Sequence, residues 1–310
     1  MIGKSISAGL RGIRRRPGLV VLLYGVNLAL ALILTVPVYI TLGNTVGLSG
    51  FSPDLARDFD LALWADIIED AGSMLRALQF QLLWMIPVYL IWKAAADVGL
   101  IHALRGDGIR SFWQGVGRYT GKAVLVGLIY LVVVGAGILG IVLLIGGLSA
   151  IWPGEVGLFW INVVLAPLLL IGGLAVLDLM RDYANNALVI SEQGVFQAVL
   201  TGAGWPFRHA RAGWLYLAWF VPAALLLALP TLLDMNTLAA TGGTIWLLFL
   251  LQQGGLLLRA AVTVGWIGSE VAFYESVRLQ EAPRIASDME ADAATFDPAL
   301  GTEPTGLASA

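Results

Sequence analysis

Six stretches of nearly continuous apolar residues, 18–42, 80–101, 123–148, 157–180, 212–233 and 244–268, alternate along the chain with shorter polar segments. Each is long enough to cover a hydrocarbon layer of ~30 Å at about 1.5 Å of helical rise per residue, so each is expected to span a membrane. Lipid offers the backbone no hydrogen-bonding partners, and no ten-residue stretches of alternating polarity occur, so helices are expected and a barrel is not. The second stretch is the least regular, because Lys93 and Asp97 interrupt it.

A different periodicity precedes the odd-numbered spans. Ile6, Leu10 and Ile13 before the first, Ile109, Phe112, Trp113 and Val116 before the third, and Val195, Val199, Leu200 and Ala203 before the fifth recur at helical spacing. Each set predicts a short amphipathic helix. Each runs into a basic cluster (RRRP, RYTGK, RHAR), then a long apolar helix, an outer loop and a second helix whose inner end carries an acid: Asp97, Asp182 or Glu270. The order reads as three copies of one unit over 5–103, 108–190 and 194–278. The bland alternative is that basic amphipathic flanks are common beside membrane helices.

Two segments fall outside this plan. Within 51–78, Trp64, Ile67, Ile68, Ala71, Leu75 and Leu78 have helical spacing and predict a helix lying on the outer surface or extending the second span. From 281 to 310 the chain is acidic and rich in Pro, Ala, Thr and Gly, which predicts a disordered tail.

Composition changes the picture in one direction. Of 310 residues, 58% are hydrophobic and 13% charged, and the mean hydropathy is +0.83; a soluble domain is about half apolar and a quarter charged. With no cysteine, disulfides, thiol catalysis and thiolate metal sites are excluded, and only His102 and His209 supply imidazoles. Lys4, Arg11, Arg14, Arg15, Arg16, Arg105, Arg110, Arg118, Lys122, Arg181, Arg208, Arg211, Arg278 and Arg284 fall on one side of the proposed spans. The other side has Arg57 and Arg76 among six acids. That asymmetry predicts that both termini are cytoplasmic. The expected fold is therefore all-α, a polytopic membrane bundle of about six transmembrane helices over 1–280, with cytoplasmic amphipathic helices and the acidic tail outside it.

Candidate chemistry lies in the intramembrane charges. The odd spans contain no ionisable side chain except tyrosine, whereas the even ones carry Lys93 and Asp97, Asp178 and Asp182, and Arg259 and Glu270. Charge at the bilayer centre costs at least ~2.5 kcal/mol, so these groups are expected to face protein or water, and the even helices to line the interior. Gln252, Arg259, Thr263, Trp266 and Glu270 form one polar stripe. Arg259 is expected to point inward and to pair with a carboxylate of another even helix, Asp178 being the first choice. The network could be a substrate or proton path, or a set of salt bridges that fixes helix packing.

Other motifs carry little. Gly135-Ala-Gly137-Ile-Leu-Gly140 has the letters of a dinucleotide fingerprint but no strand before it, so close helix packing is its expected role. Trp84, Trp92, Trp152, Trp160, Trp205 and Trp214 are expected as interfacial anchors, and prolines 37, 167, 222 and 230 as kinks. No phosphate loop, HExxH or nucleophile elbow occurs, and no cofactor is expected.

Asp182-Tyr183, Leu188-Val189-Ile190, Ser191-Glu192, Val195-Phe196-Gln197-Ala198 and Gly202 to Trp205 together resemble the inner-loop signature of a broad family of bacterial and archaeal six-helix proteins. That family is related to the membrane domain of glycerophosphodiester phosphodiesterases and to YciC-like proteins. The resemblance, over about residues 1–280, implies a multi-pass plasma-membrane protein with no catalytic residue to carry over, and the phosphodiesterase domain is absent. The expected function is a non-enzymatic membrane-organising or accessory protein. Its partners would be the bilayer, with anionic lipid at the cytoplasmic face, and a protein on the acidic tail, with no nucleic acid. The alternative is a transporter of a small solute or lipid using the charged even helices; an intramembrane enzyme is third.

Overall fold

The computed structural model describes residues 1–45, 72–232 and 242–295. Among them the chain is helical throughout, with no strand and with six helices long and apolar enough to cross a membrane. The elements are α1 (Ile2–Arg15), α2 (Pro17–Thr45), α3 (Gly72–Arg105), α4 (Ile109–Ile151), α5 (Glu155–Phe159), a π-helical stretch (Trp160–Leu165), α6 (Ala166–Ile190), α7 (Val195–Arg208), α8 (Ala210–Leu232) and α9 (Gly242–Thr295). From α5 to α6 the chain runs as one span, Glu155–Ile190. Its π-helical stretch stands just before Pro167, whose ring and missing N–H the normal i to i−4 ladder cannot accommodate without adjustment.

All three segments expected to be amphipathic are helical. Two are separate elements, α1 and α7, each closed near a proline, Pro17 and Pro206. The third is not separate. No proline interrupts 109–151, so the amphipathic turns and the span fuse into one 43-residue helix, α4, about 64 Å long. Each amphipathic segment docks on an acid-bearing helix: α1 on α9, the start of α4 on α3, and α7 on α6. A glycine makes each approach possible. A Cβ on Gly9 would strike Gly265 and Ser269, one on Gly115 would strike His102 and Val98, and one on Gly202 would strike Met180 and Ala184. Because α1 lies against α9, the first and last helices meet at the same end of the bundle.

That end also gathers the basic residues. Arg16 donates to the Ala103 carbonyl at 2.6 Å and Arg278 to the Ile190 carbonyl at 3.4 Å, so cations cover the orphan carbonyls that close α3 and α6. Arg105 pairs with Glu275 at 2.7 Å, and Arg118 with Glu192 at 3.1 Å.

The core is concentrated here. Along α3 the residues from Phe80 to Ile91 are exposed apart from Gln81 and Met85, whereas Ala95 to Ile101 are buried; α6 changes in the same way at Tyr183, and α9 at about Ala260. In a membrane chain an exposed apolar surface faces lipid, so the buried part is the layer where the amphipathic helices wrap the span ends. The even helices are in contact with one another, and most of their buried residues lie in this layer. The expectation that the even helices line the interior is met only in this layer: α3 is the most buried span, with 44% of its most apolar window buried, and the other two, at 6% and 17%, are mostly exposed in theirs.

Two further expectations are amended. The helix sought over 51–78 lies, up to residue 71, outside the described residues, and from Gly72 the chain is already α3. The last helix continues through 281–295 to Thr295, where a disordered tail was expected to start at 281. Ala, Glu and Met in this stretch are good helix formers and extend an existing helix without a new nucleation step. Residues 296–310 lie outside the described residues.

Candidate functional site

The acids of the three even spans converge where the exposed spans become buried. Lys93 and Asp97, one turn apart on α3, pair at 2.6 Å (Nζ to Oδ1). Arg181 on α6 stands at the centre of the remainder: its Nη2 lies 2.9 Å from Asp178 Oδ1, 3.6 Å from Asp182 Oδ1 and 3.8 Å from Asp97 Oδ2. The Tyr216 hydroxyl of α8 donates to the other oxygen of Asp178 at 3.1 Å. Below them Glu270 on α9 is 2% exposed and accepts from the Trp266 indole N–H at 2.7 Å. The Trp266 ring packs edge-on against Tyr216 with 4.8 Å between centroids. Four carboxylates thus share a layer with two cations.

Sequence reasoning found Lys93, Asp97, Asp178, Asp182 and Glu270 but not the residue that joins them. Arg181 looked like one more basic flank. Its signal was the spacing Asp178-x-x-Arg181-Asp182, which places a base against an acid one turn away.

The expectation for Arg259 is overturned. It is exposed, with no ion pair among the described residues, and Asp178 is held instead by Arg181 and Tyr216. Arg259 lies about 16 Å along α9 from Glu270, on the exposed part of the helix. The polar stripe divides accordingly. Gln252 and Arg259 are exposed, Thr263 is half-buried and bonds back to the Arg259 carbonyl at 3.1 Å, and Trp266 and Glu270 turn inward. The residue engaged at the upper end is Gln253, which accepts from Tyr24 at 2.7 Å. Trp205 is not an interfacial anchor either: it is 6% exposed and stacked on Tyr183, with 5.5 Å between centroids.

Two cavities reach the charged layer. The larger, about 870 Å³, opens between α3, α4, α6 and α8. Its walls include Leu90, Ile91, Leu128, Leu131, Ile171 and Leu174, all exposed, so it is a groove open to lipid. Its floor is polar: Lys93, Asp97, Asp178, Arg181, Asn185 and Tyr216. The smaller, about 490 Å³, lies between α2, α3 and α9 and includes Arg259 and Thr263. Lys93 and Asp97 line both.

At and behind the floor, Arg181 Nε, the Tyr183 hydroxyl, Asn185 Oδ1 and both polar atoms of the Asn186 side chain are buried without a hydrogen-bond partner among the described residues. Such a group costs about 1–3 kcal/mol unless water or a ligand satisfies it. Among the described residues no group of His, Cys, Asp or Glu is arranged to hold a metal ion.

Comparison with protein-family models, with curated proteins and with solved structures yields no match to this chain.

Proposed function

We propose that this protein is a non-enzymatic, multi-pass plasma-membrane protein that holds one amphiphile in the groove between α3, α4, α6 and α8. The observation that carries the reading is the polarity of that groove. Exposed leucine and isoleucine walls suit acyl chains, and the floor suits a headgroup. The floor itself balances two carboxylates with two cations, and Asp182 and Glu270 lie behind it, so the surplus of acid favours a headgroup that brings an ammonium, as a zwitterionic lipid does. The volume, about 870 Å³, is in the range of sites that enclose a single ligand of this kind. Handling of lipid would join the membrane-organising role and the transporter alternative, because bound lipid is common to both.

The surface supports the same reading. On α7 the side chains of Phe196, Leu200 and Phe207 are exposed beside Arg208, while Ala198, Gly202 and Trp205 are buried. This is the pattern of a helix that lies in a lipid interface and favours anionic headgroups. A threefold duplication belongs to the proposal; three amphipathic helices docked through glycine on three acid-ended spans support it.

The test is the lipid that remains with the purified protein. Mass spectrometry of an organic extract is expected to find an ammonium-bearing amphiphile enriched over the bulk membrane. Leu131→Trp and Leu174→Trp, which fill the wall without touching the charged layer, are expected to lose it and stay folded. A retained composition equal to bulk membrane, unchanged by the two variants, would overturn the reading. The proposed orientation has its own check. Reporter fusions after Gln280 and within 53–60 are expected to report opposite sides, the former cytoplasmic; the same side for both would refute six spans.

A further inference from the structure

At the basic end, the junction of α6 and α7 encloses a third cavity of about 490 Å³, lined by polar groups and separate from the lipid-facing groove. Several independent features meet there. The fourteen-residue α7 starts behind Gly194, which provides no side-chain cap, so the first amide groups of the helix are left as donors at its positive end. Trp205 lines the same cavity, is 6% exposed, and its buried indole N–H has no acceptor. Arg208 and Arg278 complete the lining on two different helices. Neither has a carboxylate partner among the described residues, and Arg278 makes only a long 3.4 Å bond to the Ile190 carbonyl.

The two carboxylates of the lining are engaged by other groups. Glu192 accepts from Arg118 at 3.1 Å and from the Tyr119 hydroxyl at 3.3 Å, and Glu281 Oε1 lies 3.5 Å from His209 Nε2. The hydroxyls are also occupied: Ser191 and Tyr274 bond each other at 2.9 Å, and Thr201 donates to Gln193 at 2.9 Å. Besides the second oxygen of each carboxylate and the Gln197 amide, what remains uncommitted is a set of N–H donors, two of them cationic. Glu192 itself, at the bend between α6 and α7, has φ 52, a left-handed backbone that a non-glycine residue adopts only where the surrounding structure imposes it.

We propose that this cavity binds a phosphoryl group, carried by a lipid headgroup or by a soluble phosphate compound. The donors would be the first amides of α7, the Trp205 indole N–H and the guanidinium groups of Arg208 and Arg278. A phosphoryl group offers three acceptor oxygens and matches the planar donor fork of arginine. The volume exceeds that of a bare ion, so the rest of the ester fits beside it.

The test uses the full chain in maltoside micelles, which contain no phosphoryl group, with nitrogen-labelled tryptophan. Inorganic phosphate is the soluble probe, and phosphatidic acid mixed into the micelle is the headgroup probe. The indole resonance that is missing from Trp205→Phe is expected to move with one of the two, which identifies the source. The unfolding temperature, read in parallel with the same probes, needs no assignment and so stands even if Trp205→Phe does not fold. The pair Arg208→Gln and Arg278→Gln changes exposed side chains only and is expected to weaken the response at least about tenfold. An indole resonance and unfolding temperature indifferent to both probes, or a response equally strong in the double variant, would overturn the assignment.

Discussion

Arg181→Leu is expected to destabilise the protein more than any other single change in the charged layer, by about 3–5 kcal/mol. The substitution removes the only cation in ion-pair contact with Asp178 and Asp182 among the described residues and leaves Asp97 with Lys93 alone. Carboxylates stranded in a partly buried layer cannot recover the solvation they lost on folding. Unfolding in detergent, followed by heat or by denaturant, measures the loss. The triple change Arg181→Leu, Asp178→Leu, Asp182→Leu is expected to regain part of it, because no charge is then left without a partner. Arg259→Leu is the control. It alters an exposed side chain with no ion pair among the described residues, so a change within about 0.5 kcal/mol is expected. Should Arg259→Leu prove the more damaging of the two, the assignment of Arg181 as the centre of the layer is wrong.

The second large effect is steric. A methyl group added at Gly202 would meet the Met180 carbonyl oxygen, with Ala184 N at 2.6 Å and Ala184 Cβ at 2.7 Å, all parts of α6 that cannot rotate away. Gly202→Ala is therefore expected to cost about 1–3 kcal/mol by forcing α7 off its helix, despite the better helix propensity of alanine. Gly9→Ala meets the Gly265 carbonyl and the Ser269 hydroxyl and should behave alike, by pushing α1 from α9. Gly213 in α8 has no atom within 4 Å of an added Cβ, and Gly213→Ala is expected to be neutral or to stabilise by up to about 1 kcal/mol. Equal unfolding temperatures for Gly202→Ala and Gly213→Ala would refute the close approach of α7 to α6.

These expectations show where sequence reading succeeds. Long apolar runs and helical spacing identified every span and every amphipathic segment, because both depend on the chain meeting lipid or an interface, a property of one segment at a time. The charged groups were legible as a class for the same reason. Their partners were not. Asp178 and Arg259 are both polar points on apolar helices, and nothing in the spacing of either helix reveals that α9 presents Arg259 to the outside while α6 carries its own base at Arg181. The unpartnered Asn185 and Asn186 were overlooked because two amides in an apolar run look harmless until neighbours close over them. The fusion of amphipathic turns and span in α4 was missed as well. A basic cluster resembles a break, but only proline makes one here.

The docking of α1 on α9 also has a consequence for biosynthesis. The surface that α1 buries, with Gly9 at its centre, belongs to a helix made more than two hundred residues later, so an element made early is completed late. Until the ribosome has produced α9, the face of α1 that carries Ser5 and Gly9 lacks the surface it packs on. Assembly of the basic end therefore waits for α9 and closes a very long loop. A nascent chain arrested before residue 265 would keep α1 accessible to protease or label, and that accessibility distinguishes finished molecules from unfinished ones.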